Sequence, residues 1–320
     1  MDIITSKVAT SADSDNVTSI LEGCPADSAA AGRANVCESC PGRELCLSQG
    51  SLDPDQPAID LRMNAIKHKI LVVSGKGGVG KSSMAAALSN GLSTKGKKVG
   101  LLDLDICGPS QAQLMGVDGE AVMNTEWGWK PVVSPHTGVK VISVASLLAS
   151  GEDSLAFRGP RKTALIKRFV KDVFWGRLDY LIIDTPPGTS DEHLTVVKIL
   201  QNTKPDGAII VTTPQSVALA TVRKEIDFCS KMRVNIIGIV ENMSAFACPC
   251  CGEVSEIFSS GGGERLAEEF GLAFLGRIPI DPSIAEHGEE GSNLVAASAN
   301  TTGSQALLKT CDNVIRIIEG

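Results

Sequence analysis

Aromatic side chains are scarce: one Tyr, three Trp and eight Phe make up 4% of the 320 residues. The core must therefore be filled by Val, Ile, Leu and Ala, which suits a parallel sheet buried on both faces better than a sandwich. Apolar runs of about eighteen residues, the length of a membrane-spanning helix, are absent. The opening stretch MDIITSKVATSADSDN carries Asp and no Arg, so it resembles neither a secretory signal nor an organellar presequence, and a cytosolic location is expected. Net positive charge is lacking as well. Thirty Lys and Arg against 37 Asp and Glu leave −7, which argues against nucleic acid or an anionic membrane as the partner. Only four histidines occur, widely scattered, and no G-x-S-x-G is present, so serine or cysteine hydrolase chemistry has no support.

With 43% hydrophobic and 21% charged residues, the remainder is an ordinary globular chain, long enough for one large or two modest domains. Residues 1–63 mix Ser, Ala, Asp, Gly and Pro without lasting periodicity and cannot build an apolar core alone. From residue 64 to 320, short β-branched runs alternate with helical patterns, the signature of repeated βαβ units. Strands are expected at Lys69–Val73, Val99–Asp103, Val139–Val144, Tyr180–Asp184, Ala208–Thr212, Asn235–Val240 and Phe274–Arg277. Helices are expected at Lys81–Ser93, Lys162–Trp175, Asp191–Leu200, Val217–Lys231 and Gln305–Ile318. The expected fold is an α/β, doubly wound, mostly parallel sheet of the P-loop NTPase type, preceded by a loop-rich cysteine segment.

Gly75-Lys76-Gly77-Gly78-Val79-Gly80-Lys81-Ser82 follows the first strand and opens the first helix as G-x-x-x-x-G-K-S. Glycines in that context let successive backbone N–H groups converge on phosphate oxygens, aided by the positive end of the helix. Lys81 would reach the β- and γ-phosphates of ATP, and the Ser82 hydroxyl would ligate Mg2+. Leu181-Ile182-Ile183-Asp184 is an apolar strand ending in an acid, the Walker B pattern, so Asp184 would hold Mg2+ through water. Asp103 and Asp105 end the second strand, and one of them is suited to orient the attacking water or else to cap a turn. Thr185-Pro186-Pro187-Gly188-Thr189 follows Asp184 as a loop able to sense the γ-phosphate.

Ten cysteines in a reducing compartment call for an explanation other than disulfides. Cys24, Cys37, Cys40 and Cys46 form C-x12-C-x2-C-x5-C, a complete ligand set for one zinc or one [4Fe-4S] cluster, and metal would be what folds that segment. Cys248-Pro249-Cys250-Cys251 supplies a C-x-x-C pair, too few thiolates for a four-ligand site from one chain. A two-fold dimer would bring Cys248 and Cys251 from each copy to one shared cluster; a dithiol redox pair and half a zinc site are the alternatives. Cys229 and Cys311 fall in apolar helix stripes and are expected in the core. Cys107 and Cys250 carry no assignment.

The glycine loop together with D-L-D-I-C-G-P-S at 103–110, F-R-G-P at 157–160, D-T-P-P-G-T-S-D-E-H at 184–193 and C-P-x-C at 248–251 resembles the Mrp/NBP35 family of iron-sulfur scaffold ATPases, which carry a deviant Walker A loop. The resemblance spans essentially the whole chain, and the N-terminal cysteine segment is similar to the long, cytosolic form. It implies that Lys76 crosses a dimer interface to the neighbour's nucleotide, that Asp105 is the water-orienting acid, and that Asn242 faces the adenine. It further implies a scaffold on which a [4Fe-4S] cluster is assembled between two chains and handed to cytosolic and nuclear apoproteins, gated by weak ATP hydrolysis. A homodimer, or a heterotetramer with a short-form homologous ATPase, is the implied assembly. Competing functions are an ATP-coupled iron-sulfur electron-transfer protein and a MinD/ParA-like partition ATPase. The latter would use a basic amphipathic C-terminal helix, whereas the final helix here carries an apolar stripe suited to core packing.

Overall fold

The computed structural model describes residues 33–38, 43, 55–106, 108–147, 159–189, 191–248, 253–295 and 301–320. Cys24, Cys40, Cys46, Cys107, Cys250 and Cys251, as well as Phe157 and Arg158, lie outside these residues. The chain divides into two units, Met1–Pro57 and Ala58–Gly320. In the first, a 3-10 turn spans Asn35–Cys37, with the Cys37 N–H donating to the Ala34 carbonyl at 2.8 Å and the Cys37 side chain buried.

Helix α1 (Gln56–Asn64) leads into β1 (Ile66–Val73), and strand and helix then alternate: α2 (Lys81–Thr94), β2 (Val99–Asp103) and the short α3 (Gln111–Leu114). A hairpin of β3 (Met123–Thr125) and β4 (Gly128–Lys130) precedes β5 (Val132–Val133), β6 (Lys140–Ile142), α4 (Gly159–Asp172) and β7 (Leu178–Asp184). The chain continues through α5 (Asp191–Leu200), β8 (Gly207–Thr212), α6 (Ser216–Lys231), β9 (Ile236–Ala247) and β10 (Val254–Ser255). It closes with α7 (Gly262–Phe270), β11 (Phe274–Ile280), α8 (Pro282–Glu289) and α9 (Thr302–Glu319).

Nine strands form one sheet in the order β10-β9-β8-β1-β7-β2-β6-β5, with β11 also paired to β9. The seven expected strands are its parallel members, while β5 and β10 add antiparallel pairs to β6 and β9. Alternation along the strands fills both faces. Leu71, Val73, Leu102, Leu181, Ile183 and Ile210 enter the core beneath α4, α5 and α6, whereas Ile70, Val72, Leu101, Ile182 and Ile209 pack against α2 and α9. The doubly wound P-loop architecture follows from that two-sided burial. Cys229 and Cys311 are buried in the two cores, and burial pushes both thiols up to about 12. The stripe of α9 that includes Leu307, Cys311 and Val314 is likewise interior. Among the described residues no helix is long and apolar enough to cross a membrane.

The helix expected at Lys162–Trp175 ends at Asp172 instead. Val173 bridges to Trp129 and the Phe174 N–H donates to the Trp129 carbonyl at 2.8 Å, so the apolar residues that extend the helical period are taken by the β4 hairpin. Short elements, namely helices α1, α3, α7 and α8, strands β5 and β10 and the β3–β4 hairpin, are not in the sequence-based expectation.

The middle of β9 is anchored by Glu241, which is fully buried. Its oxygens accept from the N–H groups of Gly261 at 3.0 Å and Gly263 at 2.6 Å, at the start of α7, and from Arg277 Nε of β11 at 3.1 Å. One carboxylate thus joins two strands and a helix N-terminus. Glu241→Ala strands two amide donors and removes one of the two carboxylates that pair with Arg277, and is expected to lower the unfolding free energy by about 2–4 kcal/mol in urea titration. A loss near zero would show that the carboxylate is dispensable.

Candidate functional site

The loop between β1 and α2 lies at the carboxyl edge of the sheet, where ligands bind in open α/β folds. Gly78 and Gly80 take positive φ values of 77° and 84°, open to glycine at little cost. Gly80 is also pinned sterically, since a Cβ there would come 2.1 Å from Asn242 Nδ2. At the loop's start, a Cβ on Gly75 would lie 2.6 Å from the Thr221 backbone of α6. Lys76, Gly77 and Gly78 are exposed, whereas Val79 and Lys81 are buried.

Lys81 turns inward. Its ammonium pairs with Asp184 Oδ1 and reaches Ser82 Oγ at 3.3 Å. The other Asp184 oxygen accepts from Gln111 Nε2 at 2.7 Å, and the same nitrogen donates to the Ser82 carbonyl at 3.0 Å. β2 and β7 place Asp103 directly beside Asp184. Asp103 accepts from the Asp105 N–H at 3.0 Å, the Gln111 N–H at 3.2 Å and Ser143 Oγ at 3.0 Å. Burial, followed by the neighbouring Asp184 charge, pushes Asp103 up to about 7, against the opposing effects of Gln111, Ser143 and Lys81.

Lys81, Ser82 and Asp184 are therefore brought together, and Asn242 joins the loop by donating from Nδ2 to the Val79 carbonyl at 2.9 Å. The Asp105 N–H donates to Asp103, and its Oδ1 accepts from the Gly108 N–H at 3.3 Å. Cys248 follows the last residue of β9, and its N–H donates to the Glu253 carbonyl at 2.9 Å. Val254, Ile257 and Phe258, further along the chain, are exposed. Among the described residues no three His, Cys, Asp or Glu side chains gather into a metal site. Gln111, Ser143 and the pair His193–Glu225 are site components that the sequence patterns leave unmarked. The one available signal is that His193 closes the D-T-P-P-G-T-S-D-E-H run.

Residues 65–315 match the ParA family profile described as "NUBPL iron-transfer P-loop NTPase". The chain belongs to that family. A nucleotide-binding protein from Archaeoglobus fulgidus, solved with ADP and with cobalt found in it, is 39% identical over 75% of this chain and 92% of its own, with a TM-score of 0.66. The cell-division ATPase MinD of Pyrococcus furiosus matches at 23% identity over 78% of this chain and 99% of its own, with a TM-score of 0.58. A single-substitution variant of McdA from Cyanothece, solved with ATP, matches at 16% over 79% and 96%, also with a TM-score of 0.58. The last two likenesses are of fold.

In this member of the iron-transfer P-loop family, the loop after Asp184 is held from two sides. The Gly188 N–H donates to the Ser74 carbonyl at 2.7 Å, and the Gly188 carbonyl accepts from His193 Nδ1 at 2.6 Å. The same His193 nitrogen lies 3.6 Å from Glu225 Oε1 of α6, with both side chains buried. Burial pushes Glu225 up to about 7 and holds His193 below its ordinary value.

Because the folded chain keeps a proton on Glu225 that the unfolded chain releases above about 4.5, Glu225 makes stability fall as pH rises from there through about 7. Glu225→Gln removes that dependence. The unfolding free energy of the variant relative to the parent is expected to grow over this interval by up to roughly 3 kcal/mol and then level off, measured by denaturant titration at several pH values. A difference independent of pH would show that Glu225 is ionised in the folded protein.

Proposed function

We propose that this chain is an ATP-dependent scaffold that assembles [4Fe-4S] clusters and transfers them to cytosolic and nuclear apoproteins. The observation that carries this reading is the run of β9. Asn242 on that strand touches the phosphate loop, and Cys248 lies directly beyond the strand's end, six residues on and no more than about 20 Å of extended chain away. A change at the nucleotide loop thus has a short route, from the Asn242–Val79 hydrogen bond along β9, to Cys248. Met243, with a φ of 56°, places a left-handed kink on that route beside Asn242.

On this reading the backbone N–H groups of Gly75–Ser82 bind the phosphates of ATP, as nucleotide is bound in the Archaeoglobus relative. Lys81 exchanges Asp184 for the β- and γ-phosphates, a move between two anions that keeps the buried ammonium paired. Ser82 and Asp184 are the residues that would hold Mg2+, which supplies charge neutralisation for the triphosphate. The half-buried Ser82 hydroxyl and the buried Asp184 carboxylate are oxygen donors that fit that role. Asp105 orients water, Lys76 acts on the partner copy's nucleotide, and Asn242 meets the adenine. Cys248 and Cys251 of two copies hold the cargo cluster, with the exposed Val254, Ile257 and Phe258 beside them suited to an interface between chains. Cys24, Cys37, Cys40 and Cys46 hold a second, tighter cluster within one chain. The assembly is a homodimer or a heterotetramer with a short-form homologue, and it works in the cytosol.

Anaerobic purification with iron, acid-labile sulfide and zinc quantification tests this. Cys248→Ala with Cys251→Ala is expected to lose one cluster's iron and sulfide per dimer while ATP binding persists. Cys37→Ala with Cys40→Ala is expected to lose a separate complement. Stoichiometric zinc without sulfide would overturn the scaffold. Lys81→Ala is expected to abolish measurable nucleotide binding by titration calorimetry and to keep the N-terminal iron; ordinary ATP affinity in that variant would refute the phosphate-loop assignment.

A further inference from the structure

Gln111 is fully buried at the start of α3, and its groups reach three parts of the site at once. The carboxamide nitrogen donates to Asp184 Oδ2 at 2.7 Å and to the Ser82 carbonyl at 3.0 Å, while the main-chain N–H donates to Asp103 Oδ2 at 3.2 Å. Both partners of the carboxamide nitrogen are acceptors without a proton, so the orientation of the amide is determined by its surroundings. That orientation leaves Gln111 Oε1 buried with no donor from the protein. A buried amide oxygen without a donor is costly, and here it belongs to the same planar group that grips the Walker B carboxylate.

Resting on the Mg-ATP reading above, we propose that Gln111 is a positioning residue for the metal-nucleotide complex: its NH2 group fixes Asp184 by one oxygen, and its unpartnered oxygen is an acceptor for water in the hydration shell of Mg2+. Asp184 is buried beside a second carboxylate, Asp103. When Lys81 turns to phosphate, Asp184 loses its ammonium, and of the two side chains that donate to it only Gln111 remains. Without that hydrogen bond, no side-chain donor would fix the Asp184 carboxylate, which would be free to rotate out of the position in which it serves Mg2+. Gln111 also ties the chain after Asp105 to the P-loop through the Ser82 carbonyl, so the segment bearing Asp105 is referenced to the same carboxylate that faces the metal.

The test is ATP affinity measured by titration with Mg2+ and with EDTA, on the full-length parent, Gln111→Met and Gln111→Leu. In the parent, Mg2+ is expected to strengthen binding. In both variants that gain is expected to shrink tenfold or more, with the affinity in EDTA changed less than threefold. A merely structural role would move both affinities together. An undiminished Mg2+ gain, a parallel loss under both conditions, or failure of both variants to fold would each overturn the proposal. If the parent itself shows no Mg2+ gain, or Lys81→Ala binds ATP normally, the Mg-ATP reading fails; if the parent gains and Lys81→Ala does not bind, only the role of Gln111 is in question.

Discussion

The contact between Lys81 and Asp184 is the constraint on which the remainder of the site depends. An ammonium and a carboxylate are both removed from water at the carboxyl ends of adjoining strands, and each would be expensive to bury alone. Their meeting requires β1 and β7 to be paired in register, Val72 opposite Asp184, and the loop after β1 to turn so that α2 begins with Lys81. Everything that surrounds the pair, from the glycines with positive φ to the Gln111 amide, either permits that turn or satisfies the atoms that the pair leaves over.

Around this centre the sheet acts as a rigid reference. Asp103 and Asp184 are neighbours because β2 and β7 pair in parallel without a bulge, and Asn242 reaches Val79 because β9 lies beyond β8 on the other side of β1. β9 extends further than its neighbours and is held at Glu241 by α7 and β11. The strand therefore carries Asn242 at the phosphate loop and leads directly to Cys248, while its middle is clamped at Glu241. The loop after Asp184 is tethered on the opposite side through Gly188, His193 and α6.

Much of this was readable from residue order. The seven parallel strands announce themselves as short β-branched runs because both of their faces are buried, and Gly75–Ser82 and Leu181–Asp184 carry spacing that the local backbone alone requires. Gln111 was not readable: one glutamine in Ser110-Gln111-Ala112-Gln113 has no local signature, and its importance comes from an Asp 73 positions away. The choice between Asp103 and Asp105 was equally hidden, since two acids at a strand end look alike until one is seen buried against Asp184 and the other on the loop. His193 and Glu225 meet only because α5 and α6 share one face of the sheet.

The sequence by itself determined the strand-loop-helix phosphate motif, the two-sided parallel sheet and the interior positions of Cys229 and Cys311, because local periodicity and backbone stereochemistry govern each of them. Tertiary structure alone decided which carboxylates are desolvated, which amide holds Asp184, and that Asn242 reaches the phosphate loop from the strand clamped at Glu241. Those outcomes depend on contacts between residues remote in sequence, whose burial and hydrogen bonding exist only once the strands have taken their order.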